Sequence, residues 1–143
     1  MPSARLTRGD FQKLSTLRVR EACLLLRAGL YDGAYYLSGL SVECGLKACI
    51  AKATRRHDFP DKQVVIDSWT HDLAKLLKTA GLGEARVRAG KADGAFERNW
   101  VIAKDWAVDA RYGHSVTKET ARDMYAAVTA RGSGVLRWLK QRW

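Results

Sequence analysis

The most constraining feature of this sequence is an apolar stretch that runs from Asp32 to Ala53 without a proline. Large apolar residues recur in it at alternating spacings of three and four, which is the period of one face of an α-helix. A second apolar strip lies beside the first, so the predicted helix is apolar around most of its circumference. Such a helix is usually surrounded by neighbours. The stretch therefore predicts a central helix, capped at its start by Asp32.

Two glycines interrupt this predicted helix. Gly39 and Gly45 each lower helix stability by roughly 1 kcal/mol relative to alanine. We expect such residues where another helix, or a second copy of the same helix, approaches closely. Because two-fold dimers are the commonest oligomers, the second alternative predicts a homodimer.

One face of the predicted helix carries two charged residues. Glu43 and Lys47 lie one turn apart, in the order that favours a helical ion pair. Tyr36, Leu40 and Ile50 surround them on the same face. Two interpretations stay open: an ordinary surface pair, or a partly buried pair at an interface or cleft. In the second case both residues are candidate ligand-binding residues.

The rest of the chain also shows helical periodicity. Further helices are predicted over residues 10–28, capped by Asp10, over 71–81, capped by Ser68 or Thr70, over 92–110, and from a cap at Thr117 toward the C-terminus. Residues 62–67 fit either a short helix or an extended run. No strand alternation, repeat or phosphate-binding glycine motif is present. The sequence predicts a single all-α domain over residues 1–143, an up-and-down bundle of about four to five main helices.

The charge of the chain is +10, and it is concentrated at the two ends. Residues 1–27 hold six basic and two acidic residues, and residues 111–143 hold seven and two. If the first and last helices lie side by side, they form a basic surface that suits RNA, DNA or nucleotide phosphates. The alternative is that the excess charge only keeps the protein soluble.

The three cysteines and the length of the apolar runs indicate the cellular compartment of the protein. Cys23, Cys44 and Cys49 form no C-x-x-C pair, so free thiols are expected rather than disulfides or a metal site. No apolar run is long enough to span a bilayer, and the N-terminus lacks the core of a secretion signal. The sequence thus predicts a cytoplasmic protein with no membrane contact, no metal and no cofactor.

Three ordered pieces of the chain carry a family resemblance. They are GAYYLSGLSVECGLKACI in the predicted central helix, H-x-L-x-x-L from His71, and the pair Arg111–Tyr112. Together they resemble the HEPN family, the higher eukaryotes and prokaryotes nucleotide-binding domain, over roughly residues 11–135. The resemblance implies a helical bundle that commonly dimerises and works on RNA or nucleotides, often in bacterial toxin–antitoxin, phage-defence or stress systems. It also implies a nucleotidyltransferase-like or antitoxin protein as a partner.

The resemblance also implies where a catalytic site lies. Nuclease members of the family carry an arginine and, a few residues later, a histidine, and they cut RNA without a metal. The histidine serves as general base and the arginine stabilises charge on the phosphate. Arg111 and His114 are the matching candidates, with only two residues between them, and Tyr112 stands where nucleases often have a polar residue. This departure favours the branch of the family that binds its ligand without cutting it.

Three functions stay open on this basis. The first is a nucleotide- or RNA-binding module, with ligand-binding residues Arg111, Tyr112, Glu43 and Lys47. The second is a metal-independent ribonuclease toxin that uses Arg111 and His114. The third is a non-catalytic structural or dimerisation protein. We expect the first, in a homodimer.

Overall fold

The computed structural model describes residues 5–54, 59 and 61–143, and these form eight α-helices, one 3-10 segment and no strand. The helices are α1 Arg8–Arg27, α2 Tyr31–Ala53, α3 Lys62–Asp67, α4 Leu73–Thr79, α5 Gly83–Ala92, α6 Gly94–Lys104, α7 Lys118–Thr129 and α8 Val135–Lys140. The 3-10 segment, Val108–Tyr112, lies between α6 and α7. The predicted all-α helical bundle is confirmed. None of the described helices is long and apolar enough to cross a membrane.

The central position predicted for the apolar stretch is also confirmed. α2 packs against α1, α4, α7, α8 and the 3-10 segment. Its residues Val42, Leu46 and Ala48 are fully buried. A short turn that contains Gly29, at φ 77°, joins α1 to α2 and makes them a hairpin. The other elements are therefore positioned by the face of α2 that they cover.

Gly39 and Gly45 of α2 are explained by contacts within the chain. A Cβ atom at Gly39 would overlap the indole ring of Trp106, and one at Gly45 would lie 3.1 Å from the Leu139 side chain of α8. Gly45 thus matches the expected approach of another helix. Gly39 instead makes room for an indole from the loop after α6. The homodimer stays a prediction, but these glycines no longer support it.

The first two helices begin differently from the sequence prediction. Thr7, and not Asp10, caps α1: its hydroxyl accepts a hydrogen bond from the Asp10 amide, at 3.2 Å. The carboxylate of Asp10 in turn accepts from the Thr7 amide, at 2.8 Å, which completes a capping box. Asp32 does not cap α2, because its carboxylate accepts from the amide of Val116, at 3.2 Å.

The predicted helix over residues 92–110 is wrong in its extent. Asp93 accepts hydrogen bonds from the amides of Ala95 and Phe96, so it caps a new helix and separates α5 from α6. α6 then ends at Lys104, and the chain continues into the 3-10 segment. α4 is capped by Asp72, whose carboxylate accepts from the Lys75 amide at 3.0 Å, and not by Ser68 or Thr70.

The last part of the chain also divides into two helices. α7 begins at the predicted cap, Thr117, but ends at Thr129. Gly132, at φ 73°, and the turn around it redirect the chain before α8. α1 then meets the residue that follows α8, because Arg8 and Gln12 of α1 donate hydrogen bonds to the carbonyl oxygen of Trp143. The two basic ends of the sequence are therefore neighbours, as the charge pattern requires for a shared surface.

Candidate functional site

Three side chains meet on α2 in what we call the enclosed cluster: Glu43, Lys47 and His71. Glu43 is 3% exposed, and its Oε1 accepts a hydrogen bond from Nζ of Lys47 at 2.9 Å. Nδ1 of His71 lies 2.6 Å from the same oxygen. Because an ionised carboxylate only accepts, Nδ1 carries the proton and donates it. Of the two interpretations of the Glu43–Lys47 pair, the structure confirms the partly buried one.

Local structure explains why His71 reaches α2. Leu73, the first residue of α4, is fully buried in the core. Asp72 caps α4 and so fixes the turn between Leu73 and His71. α4 packs against α2, which carries Glu43. The anchored start of α4 thus places the imidazole against the carboxylate.

A depression of about 360 Å³ opens beside the enclosed cluster. One side is the connection between α3 and α4, and the other is the end of α6 and the start of the 3-10 segment. The residues that line it are Thr70, His71, Asp72, Lys104, Trp106, Ala107 and Val108. Its charged groups are the exposed ammonium of Lys104 and the carboxylate of Asp72, one oxygen of which is occupied by capping α4.

Two buried polar atoms near this depression have no hydrogen-bond partner within the described residues. One is Nε1 of Trp106, whose indole is 2% exposed and stacks on Tyr36. The other is Oε2 of Glu43. An enclosed donor and an enclosed acceptor therefore lie unpaired close to each other's element, at positions where buried polar groups are usually paired.

Three of the residues predicted from the sequence lie together in what we call the exposed segment: Arg111, Tyr112 and His114. The guanidinium carbon of Arg111 lies 4.9 Å from the centre of the Tyr112 ring. That ring is 75% exposed, although a tyrosine at a helix end is commonly core-facing. His114 is exposed, and no hydrogen bond to it is found in the part of the chain that the structure describes.

The structure separates the predicted site residues into two groups, which the depression links. No ion pair within 4 Å joins Arg111 to a described acidic residue. Val108, however, lines the depression and begins the 3-10 segment that contains Arg111. In a 3-10 helix, side chains three positions apart eclipse each other, about 6 Å apart along the axis. Ideal 3-10 geometry thus sets Arg111 one turn after Val108 on the same face, although Arg111 itself does not line the depression.

Sequence reasoning missed two residues of the depression, Lys104 and Trp106. Both fell inside a helix that was predicted to continue to residue 110. Gly39 was the available signal, because a glycine within a helix indicates that a large group packs closely against it. The sequence does not say which aromatic residue fills the space. Among the described residues, no group of three or more His, Cys, Asp or Glu side chains is placed to hold a metal ion.

Comparison with known proteins gave no match: no protein-family model, no curated protein and no solved structure is similar to this chain. What the chain does must therefore be inferred from its own residues.

Proposed function

We propose that this protein is a nucleotide- or RNA-binding module of the HEPN type, which binds its ligand through Arg111 and Tyr112. The observation that carries the proposal is the exposed guanidinium that lies over an exposed tyrosine ring. Aromatic rings and guanidinium planes are surfaces on which unpaired bases stack. A guanidinium also donates paired hydrogen bonds to a phosphate.

The surroundings of the exposed segment support this choice of ligand. Lys104 and His71 lie in the adjoining depression, and the whole chain carries a charge of +10. A basic protein surface attracts polyanions and accelerates their encounter.

The ribonuclease alternative needs Arg111 and His114 to act on one phosphate. A general base must be held within reach of the proton that it removes, and an orienting partner commonly holds it. Among the residues that the structure describes, none orients His114, so we favour binding without efficient cleavage. Incubation of the protein with RNA in a chelator tests this. If the wild type cleaves RNA and His114→Ala does not, the protein is a ribonuclease, and our preference for binding without cleavage is rejected.

The main test is the affinity for a labelled single-stranded RNA, measured by fluorescence anisotropy at several salt concentrations. Arg111→Ala should weaken binding by about tenfold or more and lower the salt slope by about one unit. Arg131→Ala is the matched control, because Arg131 is also exposed but follows the far end of α7, a helix roughly 18 Å long that lies between the two arginines in the chain. Equal losses in the two variants would mean that the chain binds RNA only through its net charge.

The proposed partners are tested separately. As a HEPN-type module, the protein is expected to form a homodimer and to work with a nucleotidyltransferase-like or antitoxin protein. Light scattering should then give a mass near twice the 16.0 kDa of one chain. A mass near 16.0 kDa at micromolar concentration would leave a monomeric module, or the purely structural alternative if RNA binding is also absent.

A further inference from the structure

We propose that the depression beside the enclosed cluster is a phosphate-binding site, in which Nε2 of His71 and Nζ of Lys104 contact the phosphate oxygens. This inference rests on the proposed function, because it names the part of the ligand that the depression takes. The candidate residues predicted from the sequence did not include either contact. Glu43 is a positioning residue in this site and touches no ligand.

The first step of the argument is the state of His71. Nδ1 donates to the buried carboxylate of Glu43, at 2.6 Å, so Nε2 is the ring nitrogen left for a ligand. The ring is about half exposed and lines the depression. A carboxylate at Nδ1 fixes the orientation of an imidazole, and here it turns Nε2 toward the side that is open to a ligand. A phosphate bound there accepts from the imidazolium form of the ring, which presents an N–H at Nε2.

The second step is the balance of donors and acceptors in the depression. Lys104 presents an ammonium at its edge, and the orphan Nε1–H of Trp106 lacks an acceptor. Asp72 is the acidic residue of the lining, and one of its oxygens accepts from the backbone of α4. The orphan Nε1–H of Trp106 and the orphan Oε2 of Glu43 are both enclosed, so the groups that face the depression as donors are Lys104 and the His71 ring. A phosphate has several oxygens that accept hydrogen bonds from ammonium and imidazolium groups.

The third step concerns the volume of the depression and the distance from it to Arg111. About 360 Å³ is more space than a phosphate alone needs, and Ala107 and Val108 give it an apolar wall. Ligand pockets of this size combine apolar walls with a few placed polar groups. Ideal 3-10 geometry sets Arg111 on the same face as Val108, about 6 Å further along the axis. A nucleotide phosphate held at His71 therefore leaves its sugar and base, or the next nucleotide of a strand, near Arg111 and Tyr112.

The experiment follows the ring nitrogens of His71 by ¹H–¹⁵N NMR in the full-length protein. Three probes are titrated: inorganic phosphate, adenosine monophosphate, and a short single-stranded RNA. We expect the His71 resonances to shift saturably with all three, and those of His114 to stay unchanged with inorganic phosphate. If His71 responds to adenosine monophosphate and to the RNA but not to inorganic phosphate, the main contacts are to the base or sugar, and the proposal is overturned.

Lys104→Ala tests the second contact, and it should weaken the binding of adenosine monophosphate by about tenfold. Lys91→Ala is the matched control, since both lysines are exposed and lie in the last turn of their helices. Equal weakening by the two substitutions would overturn the site. Glu43→Gln keeps the volume of the side chain and should weaken the bond to Nδ1 of His71, because a neutral amide oxygen replaces a charged acceptor, and the ¹⁵N shift of Nδ1 reports this independently of binding.

The outcomes distinguish this inference from the proposed function. If Arg111→Ala abolishes RNA binding and no probe shifts His71, the function stands and the phosphate site falls. If phosphate and adenosine monophosphate shift His71 but RNA does not bind, the site stands as one for free nucleotides and the RNA surface falls.

Discussion

The enclosed cluster borders the depression through His71, the exposed segment follows the depression along the 3-10 segment that begins at Val108, and the surroundings of the two differ greatly. In the cluster, a carboxylate that is 3% exposed is bonded to an ammonium and an imidazole. In the segment, the guanidinium of Arg111 has no described acidic partner and lies on a ring that is 75% exposed. Charges of the first kind affect folding when they change, because burial makes an unpaired ion costly. Charges of the second kind remain available to a ligand.

The comparison predicts its largest effect at Glu43. Glu43→Ala removes the carboxylate from Lys47 and leaves a largely buried ammonium without its counter-ion, which should cost about 3–5 kcal/mol of unfolding free energy. Urea denaturation gives this value. The control is Glu84→Ala. It breaks an ion pair of the same spacing, between Arg88 and Glu84, and the side chain of Glu84 is 96% exposed. That loss should stay under about 1 kcal/mol. Similar values for the two variants would show that Glu43 is not enclosed.

The second effect concerns the contact between α2 and the loop that leads to the exposed segment. Gly39→Ala places a methyl group where the Trp106 ring lies, so we expect a loss of about 1–3 kcal/mol in unfolding free energy. Gly9→Ala is the control, because a Cβ atom at Gly9 of α1 would meet only Oγ1 of Thr7, at an ordinary contact distance of 3.8 Å. That substitution should raise stability by about 0.5–1 kcal/mol. A neutral Gly39→Ala would mean that Trp106 is not held against α2.

A third prediction tests the exposed segment alone. Tyr112→Ala should leave thermal unfolding unchanged but weaken RNA binding by about 1 kcal/mol or more, the contribution of one stacked base. Tyr112→Phe keeps the ring and should bind as the wild type does. If both substitutions lower the affinity equally, the hydroxyl and not the ring makes the contact.

The smallest expected effect concerns the protonation and reactivity of the two thiols in α2. Burial raises the pKa of Cys44 and of Cys49 to about 11, and the neighbouring Glu43 carboxylate adds to the shift at Cys44. Folding therefore favours the protonated thiols, an advantage that is complete below about pH 9 and is lost as the pH rises toward 11. A thiol reagent at pH 8 should modify Cys23, which is partly exposed, well before the two buried thiols. Equal rates at all three would indicate that α2 opens readily.

The spacing of apolar residues predicted the bounds of the central helix better than the bounds of the helices that surround it. α2 begins one residue before Asp32 and ends at Ala53, as expected, because more than six turns of apolar repeat leave little freedom in placing it. The helix predicted over residues 92–110 was wrong because its apolar residues keep a helical spacing across two breaks. The cap at Asp93 was readable, since an aspartate there can accept from the next turn. The break after Lys104 has no glycine or proline to mark it.

The site was less predictable, for a reason of distance along the chain. The order of Glu43 and Lys47 predicts their bond, which is local. Whether that pair is enclosed depends on what packs over α2, and His71 lies 28 positions from Glu43. The exposure of Tyr112 depends on the change from an α-helix to a 3-10 helix, which rotates the faces of the chain. The amino-acid pattern alone contains neither fact.

The hydrogen bond from the Val116 amide to Asp32 spans 84 positions, and a carboxylate rather than a helical carbonyl receives it. A bond of this kind breaks when a loop fluctuates, whereas the amides inside α2 are released only when the whole bundle opens. Hydrogen exchange should therefore be fast at Val116 and slow at Val42. The surface that carries Arg111 moves on its own timescale, and its motion does not require the core to unfold.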